Sequence, residues 1–117
     1  VLIKENHIAA AGSIAAAVER AIELCGDVKI EIEVENLSEM GEALAVGAGY
    51  LLLDNFAIEQ LVAAVHQNAG RARLEASGGV TLQTIRQIAE TGVNDISVGQ
   101  MTKDVTAIDL SMRFEPA

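Results

Sequence analysis

Five short segments rich in β-forming residues recur along the chain at nearly constant intervals. They cover residues 1–4, 29–35, 50–54, 72–77 and 95–99. Their first residues lie 28, 21, 22 and 23 positions apart, which leaves room for one helix and two short loops in each interval. Strands that are joined through helices must run parallel. The spacing therefore predicts a repeated βα unit in one α/β domain over residues 1–117.

Apolar residues between these segments repeat at helical intervals in all four gaps. The sets are Ile14, Val18 and Ile22; Met40 and Leu44; Ile58, Leu61, Val62 and Val65; and Leu82, Ile85, Ile88 and Ala89. Candidate N-caps are Ser13, Ser38 and Thr81, and candidate left-handed C-terminal glycines are Gly26, Gly47, Gly70 and Gly92. We expect four helices and, in the tail 109–117, a last turn or strand carrying Leu110, Met112 and Phe114.

Charged and apolar residues alternate in the second segment. Ile30, Ile32 and Val34 share one face of a strand there, and Glu31, Glu33 and Glu35 share the other. A strand covered on both faces would instead be apolar throughout, because burying unpaired carboxylates is costly. Polar residues recur in the other strands at Lys4, Asp54, Arg73, Glu75 and Ser77. This parity favours (βα) units of a TIM-like barrel with a polar interior over an open flavodoxin-like sheet.

Net charge and composition exclude several classes of partner. The chain has a formal net charge of -9 and does not cluster its Lys and Arg residues, so we expect it to bind neither nucleic acid nor a membrane surface. It has no apolar run near the ~20 residues of a membrane span and no signal-peptide pattern, which favours a cytoplasmic location. Because it opens at Val1 within a predicted strand, we expect it to be a fragment.

Five residues fall at or near the carboxyl ends of successive strands, where barrel enzymes build their sites. They are Lys4, Glu33, Asp54, Ser77 and Gly99. Two glycine-bearing loops follow the last two strands, Ser77-Gly78-Gly79 and Val98-Gly99-Gln100. Glycine lets the backbone approach a ligand closely, and barrels commonly hold phosphate at this place. The loops therefore predict a phosphate site.

Glu33 and Asp54 are candidate ligands for Mg²⁺, which prefers one or two carboxylates together with substrate phosphates and water. The alternative is a pair of carboxylates balanced by Lys4 or Arg73. Three other residues lack metal-ligand spacing: His7 is predicted in a polar loop, His66 on a helix surface and Cys25 as a small packed side chain.

Several longer stretches resemble one family. They read LIKENHI at 2–8, EIEVEN at 31–36, LDNF at 53–56, LEASGGV at 74–80, AETGV at 89–93 and ISVG at 96–99, followed by residues 102–103 and 110–114. In this order and spacing they resemble the C-terminal part of quinolinate phosphoribosyltransferase, the carboxylating nicotinate-nucleotide pyrophosphorylase. Two departures are Asn94-Asp95, where the family often has an acidic residue and then Tyr, and Gln100, where a small residue is usual.

The resemblance implies the reaction of quinolinate with 5-phosphoribosyl-1-pyrophosphate, which yields nicotinate mononucleotide, pyrophosphate and CO₂ in NAD biosynthesis. Lys4 would contact substrate near the reacting centre, and Glu33 and Asp54 would serve the ribose hydroxyls and the Mg²⁺-pyrophosphate. The 5-phosphate would bind at Ser77, Gly78, Gly79, Val98, Gly99 and Gln100, with Lys103 close by.

The resemblance also implies a longer, homodimeric or higher-order parent enzyme. Its N-terminal domain, its first barrel strands and its dicarboxylate-binding arginines would lie outside these residues, some of the arginines in the partner subunit. This chain alone is therefore expected to be inactive. The alternatives are a non-catalytic phosphate-binding module and a structural barrel fragment.

Overall fold

The structure is a computed structural model that describes residues 1–115. The strands of that part are β1 (Leu2–Ile3), β2 (Glu31–Val34), β3 (Tyr50–Asp54), β4 (Arg73–Ser77) and β5 (Asp95–Ile96). The helices are α1 (Glu5–Ala11), α2 (Ile14–Cys25), α3 (Leu37–Ala45), α4 (Ile58–Asn68), α5 (Ile85–Glu90) and α6 (Gln100–Lys103). The strands form one sheet in chain order, and every neighbouring pair is parallel. The predicted βα repeat is confirmed.

The two faces of the sheet differ as the strand parity predicts. The register aligns Ile32 with Leu51 and Leu51 with Leu74, and all three are almost fully buried. One residue further along, Glu33 pairs with Leu52, and Leu52 pairs with Glu75. Helices cover the first face and leave the second one polar, which is the arrangement of a barrel wall and not of a doubly wound sheet.

The hydrophobic core lies between the first face and helices α2 to α5. Side chains that are no more than 2% exposed include Val34, Met40, Leu51, Leu53 and Leu61. Burying a Leu, Val or Met side chain of this kind stabilises the fold by about 1.5–3 kcal/mol. The core therefore fixes the strand positions, and the strand positions fix where the residues at their carboxyl ends lie.

The helix ends partly follow the predicted caps. Ser13 Oγ accepts a hydrogen bond from the Ala16 amide, and the four predicted glycines all have positive φ angles. Ser38 is not a cap, because Asn36 Oδ1 accepts from the Glu39 amide while Glu39 Oε2 accepts from the Glu35 amide. Thr81 Oγ1 accepts from the Thr84 amide, but α5 itself begins only at Ile85.

Some predicted positions were wrong. Helices α1 and α6 were not expected, and Ile22, Val62 and Leu82 are exposed although they fit helical spacing. The tail does not dock as a turn or strand through residue 115, since Leu110, Met112 and Phe114 are more than 80% exposed. Residues 116 and 117 lie outside the described part. Within residues 1–115, no helix is long and apolar enough to cross a membrane.

Candidate active site at the carboxyl edge

The carboxyl ends of the strands bring the predicted site residues to one edge of the sheet. Asp54 ends β3, and its register partner is Ser77, which ends β4. Glu33 pairs with Leu52, two residues before Asp54, so the side chains of Glu33 and Asp54 leave the same face of neighbouring strands. The carboxylates and the first glycine loop are therefore neighbours.

Lys4 and Glu33 form an ion pair at the end of β1 and β2. Lys4 Nζ lies 3.2 Å from Glu33 Oε2, and the Glu33 side chain is only 11% exposed. The hydrogen bond to Glu33 and its negative charge raise the pKa of Lys4 above the ordinary value. Part of the alternative interpretation is thus confirmed, because Lys4 balances Glu33, whereas Arg73 is paired elsewhere.

Glu33 also lines an acidic hollow of about 350 Å³ together with residues of α1 and α3. Its other carboxylates are Glu5, Glu35, Glu39 and Glu42. Because these five carboxylates are accompanied, within the described chain, only by the single positive charge of Lys4, the end of the sheet edge at β1 and β2 favours cations. Even so, no group of three or more His, Cys, Asp or Glu residues within positions 1–115 is arranged to hold a metal ion.

Asp54 is held by its neighbour in sequence. Asn55 Nδ2 donates to Asp54 Oδ2 over 2.7 Å, and the Asn55 amide donates to the Ser77 carbonyl oxygen over 2.9 Å. Asn55 has a φ of 55°, a left-handed conformation that Asn tolerates better than most residues. One residue therefore links the Asp54 carboxylate to the end of β4.

The loop after β4 turns sharply at two glycines. Gly78 has a φ of 90° and Gly79 a φ of 59°. A Cβ atom at Gly78 would overlap the Asn55 Oδ1 atom and would lie 2.8 Å from the Asn55 backbone nitrogen, so no larger residue fits there. The amides of Gly78 and Gly79 donate to no acceptor in the part of the chain that is described, and they remain available to an anion.

The two glycine loops enclose a cleft of about 420 Å³. It is lined by Ser77, Gly78, Gly79, Val80, Thr81, Ser97, Gly99, Gln100, Lys103 and Asp104. Six of the predicted residues thus meet in one place, while Val98 does not line the cleft because its side chain packs against the core. The sequence did not predict Val80, Thr81, Ser97 and Asp104 as site residues, although Val80 and Ser97 lie within the quoted motifs and Thr81 directly follows one of them.

On the polar face below the cleft, two further side-chain contacts join β4 to β5 and to the residue that follows it. Arg73 makes a two-bond ion pair with Asp95, at 2.5 Å from Nε to Oδ2 and 2.8 Å from Nη2 to Oδ1. The hydrogen bond from Arg73 holds the pKa of Asp95 below its ordinary value. Ser97 Oγ donates to Glu75 Oε1. These contacts satisfy the charges on the face below the cleft, including Asp95, one of the departures from the family pattern.

The two histidines and the cysteine stay outside this site. His7 lies in α1 and not in a loop, and its Nδ1 atom accepts a hydrogen bond from the Lys4 amide. His66 is exposed on α4, as predicted. Cys25 is half-buried beside an apolar hollow of about 360 Å³ between β1, α1 and α2, a hollow lined by none of the predicted site residues.

Comparison with known proteins adds independent findings. The family described as "Quinolinate phosphoribosyl transferase, C-terminal domain" matches residues 1–113. The probable nicotinate-nucleotide pyrophosphorylase (carboxylating) of Bacillus subtilis (strain 168) is 39% identical over 113 residues, which cover 96% of this chain and 39% of that protein. The corresponding rat protein is 38% identical over 118 residues, covering 97% of this chain and 40% of that protein. This chain thus spans about two fifths of the length of these relatives.

The solved structures agree with the fold. The nicotinate-nucleotide pyrophosphorylase from Francisella tularensis superposes with a TM-score of 0.88 at 48% identity, over 94% of this chain and 39% of that one. The thiamine phosphate pyrophosphorylase from Pyrococcus furiosus gives a TM-score of 0.69 at 25% identity, over 84% and 48%. The predicted fold class, parallel βα units forming part of a TIM-like barrel, is confirmed.

Proposed function

This chain belongs to the quinolinate phosphoribosyl transferase C-terminal domain family, and from that premise we propose that it supplies the phosphoribosyl-pyrophosphate half of a pentosyltransferase active site. The reaction joins quinolinate to 5-phosphoribosyl-1-pyrophosphate and releases nicotinate mononucleotide, pyrophosphate and CO₂ for NAD biosynthesis. The observation that carries the proposal is the direct pairing of Asp54 with Ser77, which sets a carboxylate beside a cleft of free glycine amides.

The 5-phosphate would bind in the cleft between the two loops. The Gly78 and Gly79 amides line the cleft and would donate to an anion without needing a charged side chain, and Lys103 adds one positive charge at the wall. Ser77 and Gln100 line the same cleft and offer polar groups that can position the ester oxygens. Fixing the phosphate fixes the ribose, which places C1 relative to the carboxylates.

The carboxylates would act on the sugar. When pyrophosphate leaves C1, positive charge develops on an oxocarbenium-like ribose, and Asp54 and Glu33 stabilise that charge from fixed positions on the sheet. Lys4 holds one oxygen of Glu33, which leaves its other oxygen for a ribose hydroxyl. The Lys4 ammonium group is nearly half exposed, so it would also be accessible to an anionic nucleophile.

The residues present also fit Mg²⁺ that arrives with the substrate. Asp54 and Glu33 are hard oxygen donors on one face, and an ion with two such carboxylates takes its remaining ligands from phosphate and water. A bound Mg²⁺ would neutralise charge on the departing pyrophosphate. Asp54 is the better placed ligand, since a side-chain amide and not a lysine contacts its carboxylate.

The dicarboxylate pocket for quinolinate is not formed by the described residues. The five arginines are Arg20, Arg71, Arg73, Arg86 and Arg113. Arg73 is committed to Asp95, Arg20 and Arg86 pair with acids on their own helices, and Arg71 donates to the carbonyls of residues 67 and 68. We propose that a longer, homodimeric or larger cytoplasmic enzyme provides that pocket. The second candidate, a non-catalytic phosphate-binding module, rests on the cleft alone.

A titration tests the proposal. Phosphoribosyl pyrophosphate, added with and without Mg²⁺ to the isotopically labelled chain, should shift the amide signals of Gly78, Gly79 and Gly99 before others. In Asp54→Asn the Mg²⁺-dependent part of the affinity should fall, whereas Asp27→Asn, the same change in an exposed loop, should leave it intact. The same sample with quinolinate should form no nicotinate mononucleotide. Evenly spread shifts, or none, would contradict the cleft as the phosphate site, and turnover would contradict the missing pocket.

A further inference from the structure

Asn55 occupies the junction between the Asp54 carboxylate and the glycine loop. Its backbone amide donates to the Ser77 carbonyl oxygen over 2.9 Å, which ties the end of β3 to the end of β4. The backbone at Asn55 is left-handed, with a φ of 55°. Such a conformation outside glycine is uncommon, and it persists where the surrounding contacts hold it.

The Asn55 side chain lies between its two neighbours. Nδ2 donates to Asp54 Oδ2 over 2.7 Å, and Oδ1 lies against the Cα atom of Gly78, where a Cβ atom would overlap it. Contact on both sides restricts the side-chain torsions of Asn55. Through Asn55, the orientation of the Asp54 carboxylate therefore depends on the position of the glycine loop as well as on the Asp54 rotamer.

We propose that Asn55 is a positioning residue that orients the Asp54 carboxylate toward the substrate seated in the glycine cleft. The inference rests on the proposed function of Asp54 and of the cleft, and it assigns Asn55 no contact with substrate. A carboxylate free to rotate would spend part of its time turned away from the metal-bound pyrophosphate, and small misplacements of catalytic groups are costly.

The residue type fits this role. Asn combines tolerance of the left-handed conformation with an amide donor for a carboxylate. Gly keeps the backbone and loses the donor, so Asn55→Gly removes the orienting contact while preserving the bond to Ser77. The matched control is Asn6→Ala, because Asn6 Nδ2 donates to Glu5 Oε1 over the same 2.7 Å, in α1 and away from the loop.

The test compares two probes on the full chain. In Asn55→Gly the affinity for Mg²⁺-phosphoribosyl pyrophosphate should fall about tenfold, as a lost charge-assisted contact predicts, while affinity for inorganic phosphate changes less than about twofold. Asn6→Ala should change neither affinity. In an Asp54→Asn background, Asn55→Gly should add nothing further, since it acts through Asp54. Equal losses for both probes, or additive losses in the double variant, would overturn the proposal.

A ligand-free measurement separates this inference from the function on which it rests. Asn55→Gly should move the carboxyl carbon resonance of Asp54 and the amide resonance of Gly78, and leave those of β1 and β2 in place. If both resonances stay unchanged, Asn55 does not position Asp54, whatever the chain binds. If wild type binds neither probe, the proposed function fails, and the ligand-free spectra still decide whether Asn55 sets the carboxylate.

Discussion

The candidate site has two halves that are built by different means. The carboxylate half, at the ends of β1 to β3, consists of the charged side chains of Lys4, Glu33 and Asp54. The glycine half, after β4 and β5, is a cleft made mainly of backbone around Gly78, Gly79 and Gly99. Side chains reach the site in the first half, whereas in the second the main chain itself forms it.

This difference predicts opposite responses to substitution. A charged side chain on a strand end can be replaced without moving the strand, because the opposite face carries the packing. A glycine with positive φ cannot be replaced without strain, because L-residues disfavour that conformation. Changes in the carboxylate half should therefore alter chemistry and spare stability, and changes at Gly78 and Gly79 in the glycine half should alter stability first.

The largest effect on stability is expected for Gly78→Ala. The substitution adds a Cβ atom at a φ of 90° and forces it against Asn55, so the free energy of unfolding should fall by about 3 kcal/mol. Urea denaturation followed by circular dichroism measures it. Gly99→Ala is the control from the other loop, where a Cβ atom would have no heavy atom within 4 Å and φ is not positive. Equal stability losses for the two variants would remove the distinction between these glycines.

The next effect concerns chemistry in the carboxylate half. Asp54→Ala, made in a full-length enzyme that carries this domain, should lower turnover more than about tenfold, since a charge-assisted contact is worth roughly 1.5–3 kcal/mol. The fold should stay intact, because Asp54 lies on the polar face of the sheet. Steady-state kinetics at several Mg²⁺ concentrations checks both points. Near-normal turnover with unchanged Mg²⁺ dependence would reduce Asp54 to a structural role.

The sheet was predictable because its signals are local and periodic. Alternation around Ile32 and Val34 identifies the covered face, and the near-constant spacing identifies the crossovers. The errors have local causes. Helix α1 buries none of its residues, so it has no apolar period to detect. The start of α3 carried a readable signal, because Asn36 is followed three residues later by Glu39. Asn36 caps the helix through the Glu39 amide, in the role that was expected of Ser38.

The site residues were predictable where the residue type itself indicates a chemical role. Carboxylates and glycines at strand ends stand out in the sequence, and six of the seven expected cleft residues line the cleft. Val98 was predicted to bind phosphate but does not line the cleft, because its side chain packs against the core. Asn55 was missed because its importance comes from a backbone angle and from contact with Gly78, and neither can be read from residue type.

The smallest expected effect concerns the pH dependence of stability for two ion pairs, one at each end of the polar face of the sheet. Arg73 lowers the pKa of Asp95 below its ordinary 3.8, so that pair stabilises the fold above this value and loses its contribution as pH falls through the lowered pKa. Glu33 raises the pKa of Lys4 above 10.5, so the Lys4–Glu33 pair stabilises the fold below that value, and its contribution is lost as pH rises through the raised pKa.

Asp95→Asn should therefore differ from wild type in unfolding free energy at neutral pH but converge with it in acid, and Glu33→Gln should converge with it in alkali. Because Lys4, Arg73 and Asp95 are at least 40% exposed, both differences should be small and should shrink with added salt. A difference that persists for Asp95→Asn in acid, or for Glu33→Gln in alkali, would mean that these charges do not set the stability of the two pairs.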